Sequence, residues 1–142
     1  MIHLLDANVL IALVDPSHPH HAAAVRYFPT AQKAGWATCP LVENAFIRIL
    51  GHANYRNGPG SSELARQILL QYRAAPGHQF LADDVTLCDL RRFPALRGSR
   101  ALTDLYLLAL AVKHHARFVT FDTGIDVSLV ADGRHAFHLL KP

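Results

Sequence analysis

Four acidic side chains stand where apolar segments begin or end: Asp6, Glu43, Asp104 and Asp122. Asp6 follows the apolar run "IHLL", and Asp122 follows the run "RFVTF". Burying a carboxylate is costly unless a partner compensates its charge, and several carboxylates in a small space repel one another. Mg²⁺ and Mn²⁺ prefer hard oxygen ligands of this kind. A divalent cation held there can polarise a phosphodiester and generate a hydroxide nucleophile near neutral pH.

Each acid also has an ordinary structural explanation. Glu43 and Asp104 fall in the first turns of predicted helices, where the helix dipole stabilises a negative charge. An aspartate directly after a strand, such as Asp6 or Asp122, is a common turn residue. The metal interpretation therefore depends on all four side chains meeting at one place.

Three polar side chains accompany the acids: Asn8, Thr103 and Thr120. Each stands within two residues of an acid along the chain. We expect them to orient the ligands of the metal or to bind water beside it. Asn8 and Thr103 could instead act as helix caps.

Short apolar runs that alternate with helical patterns predict an α/β fold with a mostly parallel sheet. The predicted strands are "IHLL", "WATC", "HQFLADD", "RFVTFD" and "AFHLL". The clearest helices are "PLVENAFIRIL", which is amphipathic, and "TDLYLLALAVKHH", which is apolar on nearly all sides. Ligands bind outside the carboxyl ends of parallel strands, and the helices that follow the strands start there as well. We therefore expect the four acids at one rim of the sheet.

Other segments carry weaker signals. We predict a turn at Asp6-Ala7-Asn8, then a short helix that ends at Pro16, and a second helix that either continues towards Gly35 or breaks at Pro29. The stretch "SELARQILLQYRAA" predicts a helix, and "VTLCDLRRF" a helical patch. The stretches "GHANYRNGPGSS" and "PALRGSR" are predicted loops.

The chain of 142 residues has the size of one domain, and we expect residues 1–142 to form a single unit. Its 51% hydrophobic and 18% charged residues exclude a disordered chain. Eleven of its fourteen basic residues are Arg, whose planar fork matches phosphate geometry. This bias and the net charge of +3 suggest a nucleic-acid partner, although genomic base composition would also raise the Arg content.

We expect neither a disulfide framework nor a targeting segment in this chain. Cys39 and Cys88 form no CxxC motif, which favours a reducing compartment. The N-terminal apolar run lacks the basic start of a signal peptide. The longest later run, 105–112, is shorter than the roughly 20 residues of a membrane span. We therefore expect a soluble cytoplasmic protein with no membrane partner.

The stretches "LLDANVLIAL", "CPLVENAFIRI" and "LTDLYLLALAVKHHARFVTFD" resemble the motifs of PIN-domain nucleases. More narrowly, they resemble the VapC toxins of bacterial type II toxin–antitoxin systems, over nearly the whole chain. The resemblance implies a three-layer α/β/α sandwich around a five-stranded parallel sheet. It implies Mg²⁺- or Mn²⁺-dependent endoribonuclease activity on tRNA or rRNA, which inhibits translation. It also implies a VapB-like antitoxin that blocks the site, and pairing of two copies as a homodimer.

The resemblance assigns a role to each acid. Asp6, Asp104 and Asp122 would hold the metal, and Glu43 would be a further ligand or would position the attacking water. In-line attack by that water on phosphorus would leave 5′-phosphate and 3′-hydroxyl ends.

One position departs from the family pattern. Many relatives carry a further acid two residues after the last aspartate, where this chain has Gly124. Either Asp126, two residues further on, replaces it with a supporting role beside the metal, or this ligand is missing. Whether the site binds one or two metal ions stays open.

RNA has to be held against an acidic pocket, so basic residues are expected around it. The stretch "LRRFPALRGSR" before Asp104 supplies four of them: Arg91, Arg92, Arg97 and Arg100. We predict that these arginines bind phosphates of the substrate RNA. An ordinary solvated loop would have the same composition.

Two other functions compete with the nuclease. A metal-dependent phosphatase also places an Asp after the first strand, but it needs a second Asp two residues later, where this chain has Asn8, and a Lys for the phosphate. A PIN-like RNA-binding module without catalysis would share the fold. The presence of all four acids argues against that module.

Overall fold

The computed structural model describes the whole chain, residues 1–142. Its five strands are β1 (Ile2–Leu5), β2 (Trp36–Thr38), β3 (His78–Phe80), β4 (Ala116–Thr120) and β5 (Phe137–Leu139). They form one parallel sheet in the order β3-β2-β1-β4-β5. The inner strands β1, β2 and β4 are largely buried, which accounts for their nearly continuous apolar sequences. Each strand coincides with a predicted segment, and the predicted parallel sheet is confirmed.

Six α-helices cover the sheet: α1 (Ala7–Val14), α2 (His21–Ala34), α3 (Pro40–Leu50), α4 (Ser62–Arg73), α5 (Leu102–Lys113) and α6 (Gly133–Ala136). The helix α1 packs on α2 and α3, and α3 packs on α4. The helix α5 packs on β4 and α6. Right-handed crossovers that first run outward and then return place helices on both faces of a sheet, which yields the expected α/β/α sandwich. None of the helices is long and apolar enough to cross a membrane.

The helices that carry Glu43 and Asp104 form for different reasons. Pro40 occupies the first position of α3, where its fixed φ suits a helix and its missing N–H costs nothing. The helix α5 is buried on most sides, as its uniformly apolar sequence predicts. Both helices contribute to one core cluster of 33 buried residues, so their first turns are held rigidly at the rim of the sheet.

The predicted turn at Asp6-Ala7-Asn8 is wrong, because the first strand passes directly into the first helix. The Asp6 side chain is the N-cap of α1, and its Oδ1 accepts a hydrogen bond from the backbone N of Ala7 at 2.7 Å. The second helix continues through Pro29 to Ala34. Pro29 lies on the exposed side of that helix, where water can replace the lost backbone hydrogen bond.

The predicted helical patch in "VTLCDLRRF" is also wrong, since this segment consists of turns and irregular chain. The Asp89 Oδ1 accepts hydrogen bonds from the backbone N of Arg91 at 3.0 Å and of Arg92 at 3.3 Å. These are N-cap bonds of a single helical turn, closed by the bond from the backbone N of Phe93 to the Asp89 carbonyl oxygen at 2.9 Å, and no further turn follows. The sequence also did not predict α6 or the 3₁₀ turn Val127–Leu129.

The order of the strands reverses between β1 and β4. From β1 the chain moves outward to β2 and β3, and it then returns through α5 to β4 on the other side of β1. In open parallel sheets such a reversal opens a crevice at the carboxyl ends of the two central strands. Asp6 follows β1 and Asp122 follows β4, so both reach this crevice.

Candidate active site

A buried hydroxyl connects the two sides of the crevice. Thr120 Oγ1, at the end of β4, donates to Asp6 Oδ2 at 2.7 Å and accepts from the backbone N of Asp122 at 3.0 Å. Asn8 Nδ2 donates to Thr120 Oγ1 at 3.1 Å, and Asn8 Oδ1 accepts from the backbone N of Phe121 at 3.3 Å. These bonds tie α1 to β4, and they set the orientation of the Asp6 carboxylate.

The first turn of α5 brings a third carboxyl group to this place. Burial, the charge of Asp6, and the hydrogen bond and charge of Asp122 together raise the pKa of Asp104 to about 7. Burial also raises the pKa of Asp6, although hydrogen bonds from Thr120 and from the backbone of Ala7 oppose this effect. The three carboxyl groups therefore share a space in which their simultaneous ionisation is unfavourable.

A cavity of about 450 Å³ opens beside the carboxyl group of Asp104. It is lined by Arg100, Ala101, Asp104, Asp122, Thr123 and Gly124. Arg100 is the single basic residue among them, and the two aspartates supply the acidic wall. A cation bound to the carboxylates and a phosphate group held by the guanidinium would balance these charges.

The PIN-domain family model matches residues 3–127 of the chain. The chain belongs to the PIN-domain family.

Curated relatives place this PIN domain among the VapC ribonucleases. Ribonuclease VapC38 of Mycobacterium tuberculosis is 43% identical over 122 residues, which cover 86% of this chain and 86% of the relative. Ribonuclease VapC39 of the same species is 39% identical over 127 residues, or 88% of this chain and 91% of the relative. Ribonuclease VapC44 is 37% identical over 131 residues, or 89% and 90%. The predicted family is confirmed.

Two solved PIN-domain structures share the fold. The M. tuberculosis toxin VapC20, described as cleaving the sarcin–ricin loop, superposes with a TM-score of 0.59 at 18% identity, over 92% of this chain and 97% of that one. VapBC2 from Rickettsia felis, bound to a DNA fragment from its promoter, gives a TM-score of 0.61 at 12% identity, over 99% and 100%. At such low identities the likeness is evidence for the fold, and it confirms the sandwich.

The fourth acid of this PIN domain, Glu43, contacts one residue of β2 and one residue of α4. Glu43 Oε2 accepts a hydrogen bond from Thr38 Oγ1 at 2.6 Å, and Glu43 Oε1 accepts one from Arg73 Nη1 at 3.3 Å. The Glu43 side chain is 16% exposed, and that of Arg73 is 34% exposed. The structure thus brings the three aspartates together and keeps Glu43 at the same rim, with its charge balanced by Arg73.

No three His, Cys, Asp or Glu side chains are arranged as a preformed metal-binding group. Mg²⁺ is usually held by one or two carboxylates, by water and by substrate phosphates rather than by a cage made of protein alone. Asp104 and Asp122, with Asp6 behind them, supply oxygen donors only, and their mutual repulsion favours a cation. The residues at the crevice therefore fit a divalent metal ion whose coordination is completed by water and substrate.

The proposed supporting residues divide into two groups. Asn8 and Thr120 belong to the hydrogen-bonded crevice described above. Thr103 is exposed, and Asp126 accepts hydrogen bonds from the backbone N and the Oγ of Ser128 at 3.1 and 2.6 Å. Gly124 donates its backbone N–H to Asp122 Oδ1 at 2.8 Å.

The helix-cap explanation is wrong for both residues to which it was applied. The N-cap of α1 is Asp6 rather than Asn8, and α5 begins after Ala101 with no side-chain cap from Thr103. The hydrogen bonds of Asn8 to Thr120 Oγ1 and to the backbone N of Phe121 therefore hold its side chain at the crevice.

The four predicted arginines occupy different surroundings. Arg100 lines the cavity. Arg92 Nε pairs with Asp89 Oδ2 at 3.4 Å, while Arg91 is exposed. Arg97 is exposed and lies close enough to Asp126 for its charge to contribute to the lowered pKa of that carboxyl, after the Ser128 hydrogen bonds.

The sequence reasoning missed Thr38 and Arg73, the two residues that hold Glu43. Thr38 could have been found, because it ends β2 as Thr120 ends β4. Nothing in the sequence pointed to Arg73, since its approach to Glu43 depends on the packing of α4 against α3.

Proposed function

We propose that this PIN domain is a divalent-cation-dependent endoribonuclease toxin that cuts tRNA or rRNA and so inhibits translation. The observation that carries the proposal is the crevice in which Asp104 and Asp122 line one cavity, close enough to Asp6 that the charges of both aspartates raise the pKa of Asp104. Such a group of acids is electrostatically unfavourable without a cation. The names of the VapC relatives, which are called ribonucleases, support RNA as the substrate.

We propose the following division of roles. Asp6, Asp104 and Asp122 would hold Mg²⁺ or Mn²⁺, which when bound would polarise the phosphodiester and make water a stronger nucleophile. Thr120 orients Asp6 through its 2.7 Å hydrogen bond. Arg100, at the wall of the cavity, would bind a non-bridging phosphate oxygen and position the backbone for in-line attack. The products would carry 5′-phosphate and 3′-hydroxyl ends.

Glu43 is proposed as a further ligand or as the group that orients the attacking water. Its position at the start of α3, beside the crevice, supports this role. Its present bonds to Thr38 and Arg73 keep the carboxylate ordered at the rim.

The proposed partners are a VapB-like antitoxin and a second copy of this chain. The complex of R. felis VapBC2 supports an antitoxin partner, because it shares the fold over the whole of this chain. The phosphatase alternative loses support, because Asn8 stands where its second acid would be and is fully engaged with Thr120 and the backbone of Phe121.

The deciding experiment compares the native chain with Asp6→Asn. Asparagine is as good an N-cap as aspartate, so the substitution removes the charge and preserves the start of α1. We expect cleavage of purified tRNA or rRNA with Mg²⁺ or Mn²⁺ to fall at least about a hundredfold. EDTA should abolish cleavage by the native chain, and added Mn²⁺ should restore it.

Glu63→Gln is the matched control, because Glu63 is an exposed acid on α4. It should cleave RNA at the native rate. Circular dichroism should show all three proteins folded, and sequencing of the RNA ends should find 5′-phosphates. A folded Asp6→Asn protein that cuts at the native rate, or cleavage that persists in EDTA, would contradict the proposal.

A further inference from the structure

An exposed aromatic ring stands at the rim of the sheet, on the edge strand. Phe80 is the last residue of β3, and 50% of its surface is exposed. The Arg73 guanidinium lies over this ring, with its central carbon 5.2 Å from the ring centroid. Its place at the carboxyl end of a parallel strand puts the exposed ring at the end of the sheet where ligands bind.

This ring is connected to the candidate active site through Glu43. Phe80 is paired in register with Thr38 of β2, so the two side chains emerge on the same face of the sheet. Thr38 Oγ1 donates to one Glu43 oxygen, and Arg73 Nη1 donates to the other. The ring, the guanidinium and the carboxylate are therefore joined by contacts at the same rim of the sheet.

We propose that Phe80 and Arg73 form a stacking site for an unpaired nucleobase of the substrate RNA, an inference that rests on the proposed ribonuclease function. Proteins bind single-stranded RNA by stacking bases on aromatic rings and on arginine planes. A guanidinium has five N–H donors, and a single nitrogen of Arg73 is engaged with Glu43. The remaining donors can bind the adjoining phosphate.

A nucleotide offers a base to the Phe80 ring and a phosphate to the Arg73 guanidinium, whereas a hydrophobic side chain of a protein partner would contact only Phe80. The N–H donors of Arg73 that Glu43 does not use can bind that phosphate, which favours RNA over an antitoxin as the occupant. With Arg100 at the β4 side of the crevice and Phe80 at the β3 side, bound RNA would cross the acidic rim.

The test measures binding of a short single-stranded oligoadenylate by fluorescence anisotropy in Mg²⁺. All proteins carry Asp104→Asn, which prevents cleavage during the measurement. Phe80→Leu should weaken binding roughly 5- to 150-fold, the loss typical of one stacked base. Phe80→Tyr, which keeps the ring, should bind within about twofold of its parent. The salt dependence of binding should keep the same slope in Phe80→Leu, because no phosphate contact is removed.

A second arm replaces the bases of the oligonucleotide with abasic sites. The parent should lose affinity for this ligand, and Phe80→Leu should lose clearly less, because its stacking contact is already gone. Equal affinity of the parent for both ligands overturns the stacking site even if Phe80→Leu fails to fold. Failure of the parent to bind oligoadenylate also overturns it.

The remaining outcomes separate this inference from the proposed function. If Phe80→Leu binds RNA like its parent but binds the antitoxin less tightly, the surface is a protein-docking site and the proposal is wrong. If stacking depends on Phe80 yet the native chain cleaves no RNA, the stacking site stands and the ribonuclease proposal fails. If the native chain cleaves RNA but Phe80→Leu has no effect on binding or cleavage, the ribonuclease proposal stands and the stacking site fails.

Discussion

The side chain that organises the crevice is a threonine rather than an acid. The fully buried Thr120 hydroxyl donates to Asp6 and accepts from Asn8 and from the backbone of Asp122. A neutral group of this kind adds no charge to a site that already has too much negative charge. It holds the Asp6 carboxylate in one orientation, so this proposed metal ligand is already oriented when the protein has folded.

Replacing this hydroxyl by a methyl group tests its role. Thr120→Val keeps the shape but leaves the amide of Asn8 and the backbone N of Asp122 without their acceptor. We expect a loss of roughly 1–3 kcal/mol in the free energy of unfolding, measured by urea denaturation. Metal affinity should fall about 10- to 100-fold, since supporting groups of this kind have that effect.

Thr120→Ser is the matched control for this substitution, because it keeps the hydroxyl. It should retain metal affinity and most of the stability. Equal loss in both variants would show that the threonine methyl group, rather than the hydroxyl, is the important part.

The raised pKa of Asp104 predicts how stability depends on pH in the metal-free protein. The folded-state pKa is about 7, whereas an unfolded aspartate has its ordinary value of 3.8. Between these values the folded chain holds a proton that the unfolded chain does not, so this group makes the protein less stable as the pH rises from about 4 to about 7. Above that range its unfavourable contribution is complete.

The measurement compares urea unfolding of the native chain and Asp104→Asn in EDTA, at pH 5 and at pH 8. The stability difference should move in favour of Asp104→Asn at the higher pH. Taking the difference cancels the groups that do not interact with Asp104, so the change reports the titration of Asp104 together with its neighbours Asp6 and Asp122. A difference that does not change with pH would mean that Asp104 titrates normally. Added Mg²⁺ should stabilise the native chain at pH 8 more than the variant.

At the scale of elements, the segment between β3 and α5 decides which arginines can reach RNA. Its Asp89 turn pairs Arg92 with a carboxylate, and its end places Arg100 at the cavity. The sequence treated these arginines as equivalent, because it showed only that they are close together along the chain. Their different surroundings lead to different expectations.

Arg100→Gln should weaken RNA binding and reduce the slope of log K against log salt by about one, as expected for the loss of one phosphate contact. Arg92→Gln, the control, should leave the slope unchanged, because its charge is already paired with Asp89. Its effect on stability should be small, since exposed ion pairs contribute little. Equal slopes in Arg100→Gln and the native chain would remove Arg100 from the RNA-binding surface.

At the scale of the whole molecule, the reversal of strand order between β1 and β4 produces the site. Acids that lie more than a hundred residues apart in the chain meet because both central strands end at this crevice. The helix α5 returns across the sheet and adds Asp104 between them. The activity is therefore a property of the complete fold, and a toxin of this design should act when the whole chain is folded.

Expression in a bacterial host tests the function of the whole molecule. Induction of the native chain should arrest growth, and Asp6→Asn at equal protein levels should not. Co-expression of a VapB-like antitoxin encoded beside the toxin gene should restore growth and bring the two proteins into one complex. Arrest by the Asp6→Asn protein as well would mean that toxicity does not depend on the candidate active site.

Local patterns in the sequence predict most of the regular elements and identify the three aspartates that meet. Apolar runs and helical periodicity are local properties, and the rule that parallel strands present ligands at their carboxyl ends made Asp6 and Asp122 neighbours. Two aspartate side chains account for the main errors: Asp89 caps a single helical turn that goes no further, and Asp6 caps a helix where a turn was predicted.

Only the tertiary structure decided which groups surround these acids. The packing of α4 on α3 brings Arg73 to Glu43 and Phe80, and the path of the loop before α5 separates Arg100 from Arg92. Such contacts join residues far apart in sequence, and they depend on how whole elements pack. Periodicity and spacing describe single elements, so they contain no information about which side chains of two packed elements will meet.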